Sequence, residues 1–203
     1  MKLSFLGTGY VGLVSGAGMA EIGHTVICAD IDKTKINLLK KGVIPIYEIG
    51  LEEVVERNVR EGRLRFTTDL KEAIQESEVV FMGVGTPEDK LTGQADLTYV
   101  FEAAETFGKH LNGPKIFVNK STVPVGTAEK VEEVIRRASK GKHSFEVVSN
   151  PEFLREGAAV KDFLNPDRII VGTKSASAKR IMERVYRPLV RAGRPIVFTD
   201  IRS

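Results

Sequence analysis

Short runs of apolar residues alternate along the chain with longer segments in which apolar residues recur every three or four positions. The short runs are typical of buried β-strands, and the longer periodic segments are typical of amphipathic α-helices. Strands are predicted at residues 2–6, 25–29, 64–67, 79–83, 115–119, 145–149, 168–171 and 196–198. Helices are predicted at residues 12–22, 33–41, 51–61, 70–75, 97–110, 127–139, 157–163 and 176–187.

This alternation predicts an α/β fold, because parallel strands need helical crossovers that cover both faces of their sheet. We expect a Rossmann-like, doubly wound and mostly parallel sheet flanked by helices. Two predicted loops, 43–50 and 84–95, are long and contain glycine and proline. Long loops in a compact α/β domain are usually functional, so both are candidates for ligand contacts.

Composition then excludes several classes of protein. The 203 residues carry a formal net charge of +3, with acidic and basic residues interspersed. A nucleic-acid binder usually has a clustered basic stripe, so we expect no nucleic-acid partner. No apolar run approaches the ~18–20 residues that span a bilayer, and glycines interrupt the apolar start of the chain too early for a signal peptide. We therefore expect a cytoplasmic protein without a membrane span.

The first predicted strand leads directly into a glycine-rich motif. Residues 7–12, Gly-Thr-Gly-Tyr-Val-Gly, fit the pattern G-x-G-x-x-G and open a helix that is rich in small residues. The second predicted strand ends in Asp30, 18 residues beyond Gly12, and dinucleotide-binding units place an acid at about this distance. The motif alone is weak, but this context predicts a dinucleotide site. An S-adenosylmethionine methyltransferase shares both features, and only the later motifs argue against it.

Each part of this unit has a physical task. Gly7 allows a tight turn, Gly9 lets a pyrophosphate approach the backbone, and Gly12 lets the helix pack against the strand. The helix N-terminus offers N–H groups and a partial positive charge to phosphates. Asp30 accepts hydrogen bonds from ribose hydroxyls and repels a 2′-phosphate, which predicts NAD rather than NADP as the cofactor. Two lysines that follow it closely weaken this preference.

Three further polar loops follow predicted strands. Residues 84–87 follow the fourth strand, residues 121–127 the fifth and residues 149–157 the sixth. Each loop lies at the carboxyl end of its strand, which is the edge where open α/β sheets bind ligands. A single loop of this kind is also explained by the capping of a helix. Three such loops on the same edge of the sheet predict a binding site that contains hydroxyls, backbone amides, two carboxylates and an arginine.

Five motifs in order carry a family resemblance. The segments GTGYVGLVSG, VGTP, KSTVPVGT, SNPEFLREG and NPDRIIVG resemble those of the UDP-glucose 6-dehydrogenases and of their relatives, the GDP-mannose and UDP-N-acetylmannosamine dehydrogenases. The resemblance covers essentially the whole chain, and the first and fourth motifs are more similar to the UDP-glucose branch. It implies that residues 1–203 form the NAD-binding domain of an oxidoreductase, truncated before a long central helix and a C-terminal sugar-nucleotide domain.

The resemblance also implies a reaction. The family oxidises the primary alcohol of the sugar to a carboxylate with two NAD molecules per substrate, which converts UDP-glucose to UDP-glucuronate for polysaccharide biosynthesis. A cysteine attacks the aldehyde, hydride leaves the thiohemiacetal, and water hydrolyses the thioester. The implied cofactor is NAD, the implied substrate is a UDP-sugar, and the implied full-length enzyme is a homodimer.

The motifs assign roles residue by residue. The resemblance implies that the pyrophosphate is held by Gly7, Thr8, Gly9, Tyr10, Val11 and Gly12, and the adenosine side by Asp30 and Lys35. It implies that the nicotinamide side of the cofactor is lined by Val84, Thr86, Pro87, Ser121 and Thr122, and that Glu156 contacts the cofactor. The implied contacts to the sugar nucleotide are Glu152, Phe153, Leu154, Arg155 and Glu156, with Arg168 as a weaker candidate. The implied catalytic residues are Glu152, as acid–base, and Thr122, which positions a water molecule.

The residue types alone do not decide some of these roles. Glu152 suits thioester hydrolysis, which needs a base, but it equally suits a helix cap or a salt bridge. Arg155 is a candidate for bidentate pairing with a phosphate, or for a salt bridge with Glu152 or Glu156. The three histidines have no spacing that indicates a metal site or a Ser–His pair, so we expect no metal.

The family nucleophile is not among these residues. The single cysteine, Cys28, lies within the second predicted strand and is expected to be a buried core residue. The family's cysteine, lysine and asparagine are expected beyond Ser203, so we expect this chain alone to bind NAD without completing the oxidation.

The alternatives to a UDP-glucose 6-dehydrogenase are another sugar-nucleotide dehydrogenase, a non-catalytic NAD-binding sensor, and a β-hydroxyacid dehydrogenase. The last of these lacks the NPEF loop.

Overall fold

A computed structural model describes residues 1–88 and 93–202. Residues 89–92, within the predicted loop 84–95, lie outside the described residues. The strands are β1 (Lys2–Leu6), β2 (Thr25–Ala29), β3 (Leu64–Thr67), β4 (Val79–Met82), β5 (Lys115–Asn119), β6 (Phe145–Ser149), β7 (Ile169–Gly172) and β8 (Ile196–Thr199). The helices are α1 (Tyr10–Glu21), α2 (Lys33–Lys40), α3 (Leu51–Arg60), α4 (Leu70–Glu76), α5 (Thr98–His110), α6 (Thr127–Ser139), α7 (Ala159–Leu164) and α8 (Ala176–Arg191).

The strands form one sheet in the order β3-β2-β1-β4-β5-β6-β7-β8. Strands β1 to β6 are parallel to one another, β7 joins β6 antiparallel through one residue pair, Ser149 with Gly172, and β8 is parallel to β7. The predicted doubly wound, mostly parallel sheet is therefore confirmed. The strand order reverses between β1 and β4, and ligands of such sheets bind at the carboxyl edge beside this reversal.

Alternation along the strands fills two separate cores. In β4, Val79 and Phe81 belong to the core beneath α1, α3, α7 and α8, whereas Val80 and Met82 belong to the core beneath α4, α5 and α6. All four side chains are fully buried. Burial on both faces explains why this strand reads as a continuous apolar run rather than as an alternating one.

The small residues of α1 let that helix lie close to its neighbours. A Cβ atom on Gly16 would stand 2.4 Å from Cys28 Sγ, and one on Gly18 would stand 2.2 Å from a ring carbon of Phe163. Larger residues at these positions would push α1 away from β2 and α7. The helix therefore presents its N-terminus to the sheet edge at a fixed distance.

Some helices and strands begin or end at other residues than the sequence predicts. Helix α1 begins at Tyr10, two residues earlier than predicted, and α8 continues through Pro188 to Arg191, although its predicted end is residue 187. A proline inside a helix costs a hydrogen bond, but burial of Leu189 in the core opposes that loss. Strand β7 begins at Ile169 and not at residue 168.

Within the described ranges, no helix is long and apolar enough to cross a membrane.

Candidate functional site

The glycine-rich turn after β1 has a shape that only glycine permits. Gly7 adopts a φ of +95°, a conformation that side chains disfavour. A Cβ atom on Gly12 would stand 2.0 Å from the carbonyl oxygen of Gly7, which leaves no room for any side chain. The first turn of α1 therefore lies directly against the end of β1.

The N-terminus of α1 is left open for a ligand. Among the described residues no side chain caps it, as is also the case for α3, α5, α6 and α7, whereas α2, α4 and α8 have side-chain caps. A Cβ atom on Gly9 would meet nothing within 4 Å, so this backbone is accessible to a bulky group. Free N–H groups at a helix end, beside open space, suit a pyrophosphate. The residues present thus fit the predicted dinucleotide.

Asp30 is held rigidly at the end of β2. One of its oxygens accepts from the Thr8 N–H group at 2.7 Å and from the Thr8 hydroxyl at 2.8 Å, and the Lys35 ammonium lies 3.4 Å from it. The other oxygen accepts from the Asp32 N–H group at 3.0 Å. Thr8 is fully buried, so its side chain positions the acid, a task that the motif does not predict.

These contacts set the charge of Asp30. Burial raises the pKa of this carboxyl group, but the hydrogen bonds from Asp32 and Thr8 and the charge of Lys35 outweigh burial and hold the pKa below its ordinary value. The group is therefore an anion at neutral pH. An anion at this position accepts hydrogen bonds from a ribose and repels a 2′-phosphate.

A first cleft of about 390 Å³ lies beside this acid. Of the residues predicted to bind the cofactor, it is lined by Gly7, Gly9, Asp30, Lys35 and Val84. Tyr10 and Val11, on the first turn of α1, lie outside this lining. The structure thus brings together the adenosine side of the predicted site with the start of the loop after β4.

The loops after β4 and β5 are tied together. The Ser121 hydroxyl donates to the Val84 carbonyl at 2.6 Å, and the Thr86 hydroxyl donates to the Thr122 carbonyl at 3.2 Å. Thr122 and Pro87 are exposed. These two bonds join Val84 and Thr86 to Ser121 and Thr122, and Val84 also lines the first cleft.

A second, larger cleft of about 650 Å³ follows β5 and β6 at the same edge of the sheet. The predicted sugar-nucleotide residues Glu152, Phe153, Leu154 and Arg155 line it, together with Arg168. The Glu152 carboxylate accepts from the Leu154 N–H group at 2.6 Å, and the Arg168 guanidinium lies 5.2 Å from the Phe153 ring centre. Glu156 is exposed and lines neither this cleft nor the first one.

The partner of Arg155 differs from both acids named in the sequence analysis. Its guanidinium forms two hydrogen bonds with Asp162, at 2.9 Å and 2.7 Å, and pairs with neither Glu152 nor Glu156. This pairing lowers the pKa of Asp162 to about 2. Seven residues separate the two across a turn, so no helical spacing indicates the pair. The Arg155 side chain is 77% exposed, which leaves it accessible to a ligand.

Sequence reasoning missed Glu48, which joins the two regions. This acid is 6% exposed and accepts hydrogen bonds from the Tyr10 hydroxyl and from the N–H groups of Gly157 and Ala159, the latter two at 2.8 Å. It therefore links the glycine-rich helix to the loop that contains Glu152. Its only sequence signal is its position in the long loop 43–50.

No group of three or more His, Cys, Asp or Glu side chains in residues 1–88 and 93–202 is arranged to hold a metal ion. Cys28 is fully buried, and burial raises the pKa of its thiol to about 12. A thiol of this kind is a core group and not a nucleophile.

Comparison with known sequences gives a family match. Residues 1–190 match the sequence model of the NAD-binding domain of the UDP-glucose/GDP-mannose dehydrogenase family. A UDP-glucose 6-dehydrogenase of Bacillus subtilis (strain 168) is 54% identical over 202 residues, which are 100% of this chain and 43% of that protein.

Solved structures agree with this match. A UDP-glucose dehydrogenase from the archaeon Pyrobaculum islandicum superimposes with a TM-score of 0.94 at 39% identity, covering 99% of this chain and 46% of its own. A GDP-mannose dehydrogenase from Pseudomonas aeruginosa, solved as a ternary complex, gives 0.93 at 36% identity and covers 100% and 47%. The chain thus spans less than half the length of the proteins that it resembles.

Proposed function

The chain belongs to the UDP-glucose/GDP-mannose dehydrogenase family, whose NAD-binding domain residues 1–190 match, and on this premise we propose that it is the cofactor-binding part of a UDP-glucose 6-dehydrogenase. Its cofactor is NAD. The proposed overall reaction converts UDP-glucose to UDP-glucuronate in two NAD-dependent oxidations. Two relatives that are 54% and 51% identical to this chain carry the name UDP-glucose 6-dehydrogenase, which supports this substrate.

The arrangement of the two clefts carries the proposal. Both open at the carboxyl edge of the sheet, and the hydrogen-bonded loops at Val84 and Ser121 lie between them. A dinucleotide that extends from Asp30 across the N-terminus of α1 would end beside those loops. Its far end would then face the cleft that Glu152 lines. This is the arrangement that transfer of a hydride from a bound sugar to NAD requires.

Each side chain has a proposed task. NAD, when bound, accepts the hydride. Glu152 takes a proton from the attacking water, since its carboxylate lines the second cleft and is held by the Leu154 N–H group. Thr122 orients that water, Glu156 contacts the cofactor, and Phe153, Leu154 and Arg155 contact the sugar nucleotide.

We further propose that residues 1–203 form the NAD-binding domain of a longer homodimeric, cytoplasmic enzyme and are inactive by themselves. The buried Cys28 supports the second point, because the reaction proposed for this family needs a reactive thiol. The chain should therefore bind NAD and yet release no NADH when UDP-glucose is added.

A calorimetric titration of the 203-residue chain with NAD and with NADP tests the cofactor assignment. We expect NAD to bind at least tenfold more tightly. Asp30→Asn should narrow this difference, because an amide does not repel the 2′-phosphate. Glu132→Gln, which neutralises an exposed carboxylate of α6 that lines neither cleft, should leave it unchanged. Equal or tighter binding of NADP by the wild-type chain would contradict the assignment.

Titrations with sugar nucleotides test the substrate. UDP-glucose is expected to bind more tightly than GDP-mannose or UDP-N-acetylmannosamine, and NADH absorbance should stay flat in every mixture. Preference for GDP-mannose would identify the other branch of the family. Binding of NAD with no binding of any sugar nucleotide would remove the second cleft of this chain from the proposed substrate site, and NADH formation would refute the inactivity of this chain.

A further inference from the structure

The side chain of Tyr10 points away from the ligand site in which its backbone lies. The residue begins α1, at the helix end where we place the pyrophosphate of NAD. Its side chain nevertheless lines neither the first nor the second cleft. The ring is partly buried and packs against the core beneath α1. The family resemblance assigns this residue to the pyrophosphate, and that role needs only its backbone N–H group.

The hydroxyl group of Tyr10 faces the loop that follows β6. It donates to the Glu48 carboxylate, and its oxygen lies 3.4 Å from the carbonyl oxygen of Arg155. A phenol has one proton to donate, and a charged carboxylate is the stronger acceptor. Glu48 is 6% exposed and, like Tyr10, lines neither cleft. The contact between these two side chains is therefore separate from both ligand sites.

The same carboxylate holds the backbone of the loop after β6. The oxygen that accepts from Tyr10 also accepts from the Gly157 N–H group at 2.8 Å. The other oxygen accepts from the Ala159 N–H group at 2.8 Å, at the start of α7. One buried carboxylate thus attaches residues 157–159 to the first turn of α1.

This attachment matters because the loop has little regular structure of its own. Glu152 and Arg155, which line the second cleft, belong to a stretch, residues 151–158, that forms no helix or strand. Asp162 accepts from the Arg155 N–H group at 3.1 Å, but it lies on α7, directly after the same stretch. Glu48 supplies the anchor that ties this stretch to a distant part of the chain.

We propose that Tyr10 is a positioning residue for the second cleft: its hydroxyl group, acting through Glu48, fixes the loop that contains Glu152 relative to the first turn of α1. The inference rests on the proposed function for the identity of the two ligands. Hydride transfer between a sugar and NAD requires that both be held at a defined separation. Two side chains that line neither cleft thus set the position of one ligand site relative to the other.

The first test needs no ligand. Tyr10→Phe removes the hydroxyl group and keeps the ring and the backbone N–H group. Amide hydrogen exchange, followed by NMR in the 203-residue chain, should be about fivefold faster at Gly157 and Ala159, because their shared acceptor loses one hydrogen bond. Tyr47→Phe makes the same change beside Glu48, on a side chain that is 88% exposed, and should leave both rates unchanged. Wild-type exchange rates in Tyr10→Phe would overturn the proposal.

Calorimetry separates a positioning role from a general distortion of α1. Tyr10→Phe should weaken binding of UDP-glucose about fivefold, the effect of one lost hydrogen bond. Its affinity for NAD should stay within about twofold of wild type, because the N–H groups of the helix end remain. Tyr47→Phe should change neither affinity. Equal weakening of both ligands, or undiminished binding of UDP-glucose, would contradict the positioning role.

A double variant shows whether Tyr10 acts through the carboxylate. In a Glu48→Gln background, Tyr10→Phe should accelerate exchange at Gly157 and Ala159 less than it does in wild type, because partners in one hydrogen-bond network are not additive. Full additivity would rule out the route through Glu48. If the wild-type chain binds no UDP-glucose, the proposed substrate site fails, whereas the exchange rates still decide whether Tyr10 fixes the loop.

Discussion

The two clefts at the carboxyl edge of the sheet differ in how many hydrogen bonds the protein makes to Asp30 in the first and to Lys120 and Glu152 in the second. In the first, Asp30 accepts three hydrogen bonds and lies beside the ammonium of Lys35, so this part of the chain satisfies it. In the second, Lys120 has one long hydrogen bond and Glu152 has one backbone donor. The first cleft is preorganised before any ligand arrives. The second holds polar groups that still have capacity to bind one.

This difference follows from what each cleft is made of. The first is shaped by backbone and by glycines, such as Gly12 against Gly7, so its form depends on atoms that cannot rotate away. The second is shaped by side chains of the loop after β6. Substitutions that add atoms against backbone in the first region, as at Gly12, should therefore affect folding and binding together, whereas those in the second should affect binding alone.

The largest expected effect comes from Gly12→Ala. The added Cβ atom would stand 2.0 Å from the Gly7 carbonyl oxygen, so the turn or α1 must move. We expect a loss of about 3 kcal/mol in the free energy of unfolding, since overpacking against backbone has little room to relax. NAD binding should be lost as well. Urea denaturation and calorimetry measure the two effects, and a variant of normal stability would contradict the account of this turn.

Glu48→Ala is expected to have the next largest effect, because it tests the link between the two regions. It would leave the N–H groups of Gly157 and Ala159 without their acceptor, at a cost of about 2 kcal/mol in the free energy of unfolding. The exposed Glu56 of α3 offers a control, and Glu56→Ala should stay within about 0.5 kcal/mol of wild type.

The effect of Glu48→Ala should also depend on pH. Burial raises the pKa of Glu48, but the bonds from Tyr10, Gly157 and Ala159 outweigh burial and hold the pKa below its ordinary 4.5. A lowered pKa in the folded state stabilises the fold above the ordinary value, and this contribution is lost as the pH falls through the lower one. The stability difference between wild type and variant should therefore narrow below pH 4.5. A difference that stays constant to pH 3 would contradict the role of the carboxylate.

The smallest effect on stability is expected for Arg155→Ala. The Arg155 side chain is 77% exposed, although Asp162 is only 14% exposed, and pairs with an exposed member contribute about 1 kcal/mol or less. Arg136→Ala, which breaks an exposed pair with Glu132 on α6, is the matched control. Both variants should melt like wild type, and Arg155→Ala alone should weaken binding of UDP-glucose. Equal affinity in the two variants would remove Arg155 from the proposed substrate site.

The sequence predicted what depends on local pattern. Strands such as β2 and β5 match their predicted residues because burial on both faces yields apolar runs. The glycine turn was predicted because steric limits act between near neighbours. Glu48 was missed because its partners at 157 and 159 lie more than a hundred residues away. The contact of Lys120 with Asn150 was not predicted either, because it joins the ends of two different strands, β5 and β6.

The central claim is that the turn after β1 is shaped for NAD, and Gly9→Ala tests it most directly. Its Cβ atom meets nothing within 4 Å in the protein, so the variant should lose no more than about 1 kcal/mol of stability, the cost of a poorer helix N-cap. The same atom would occupy the space of a pyrophosphate. We predict a melting curve close to wild type and NAD affinity at least tenfold weaker by calorimetry. Undiminished NAD affinity in a folded Gly9→Ala variant would contradict the account.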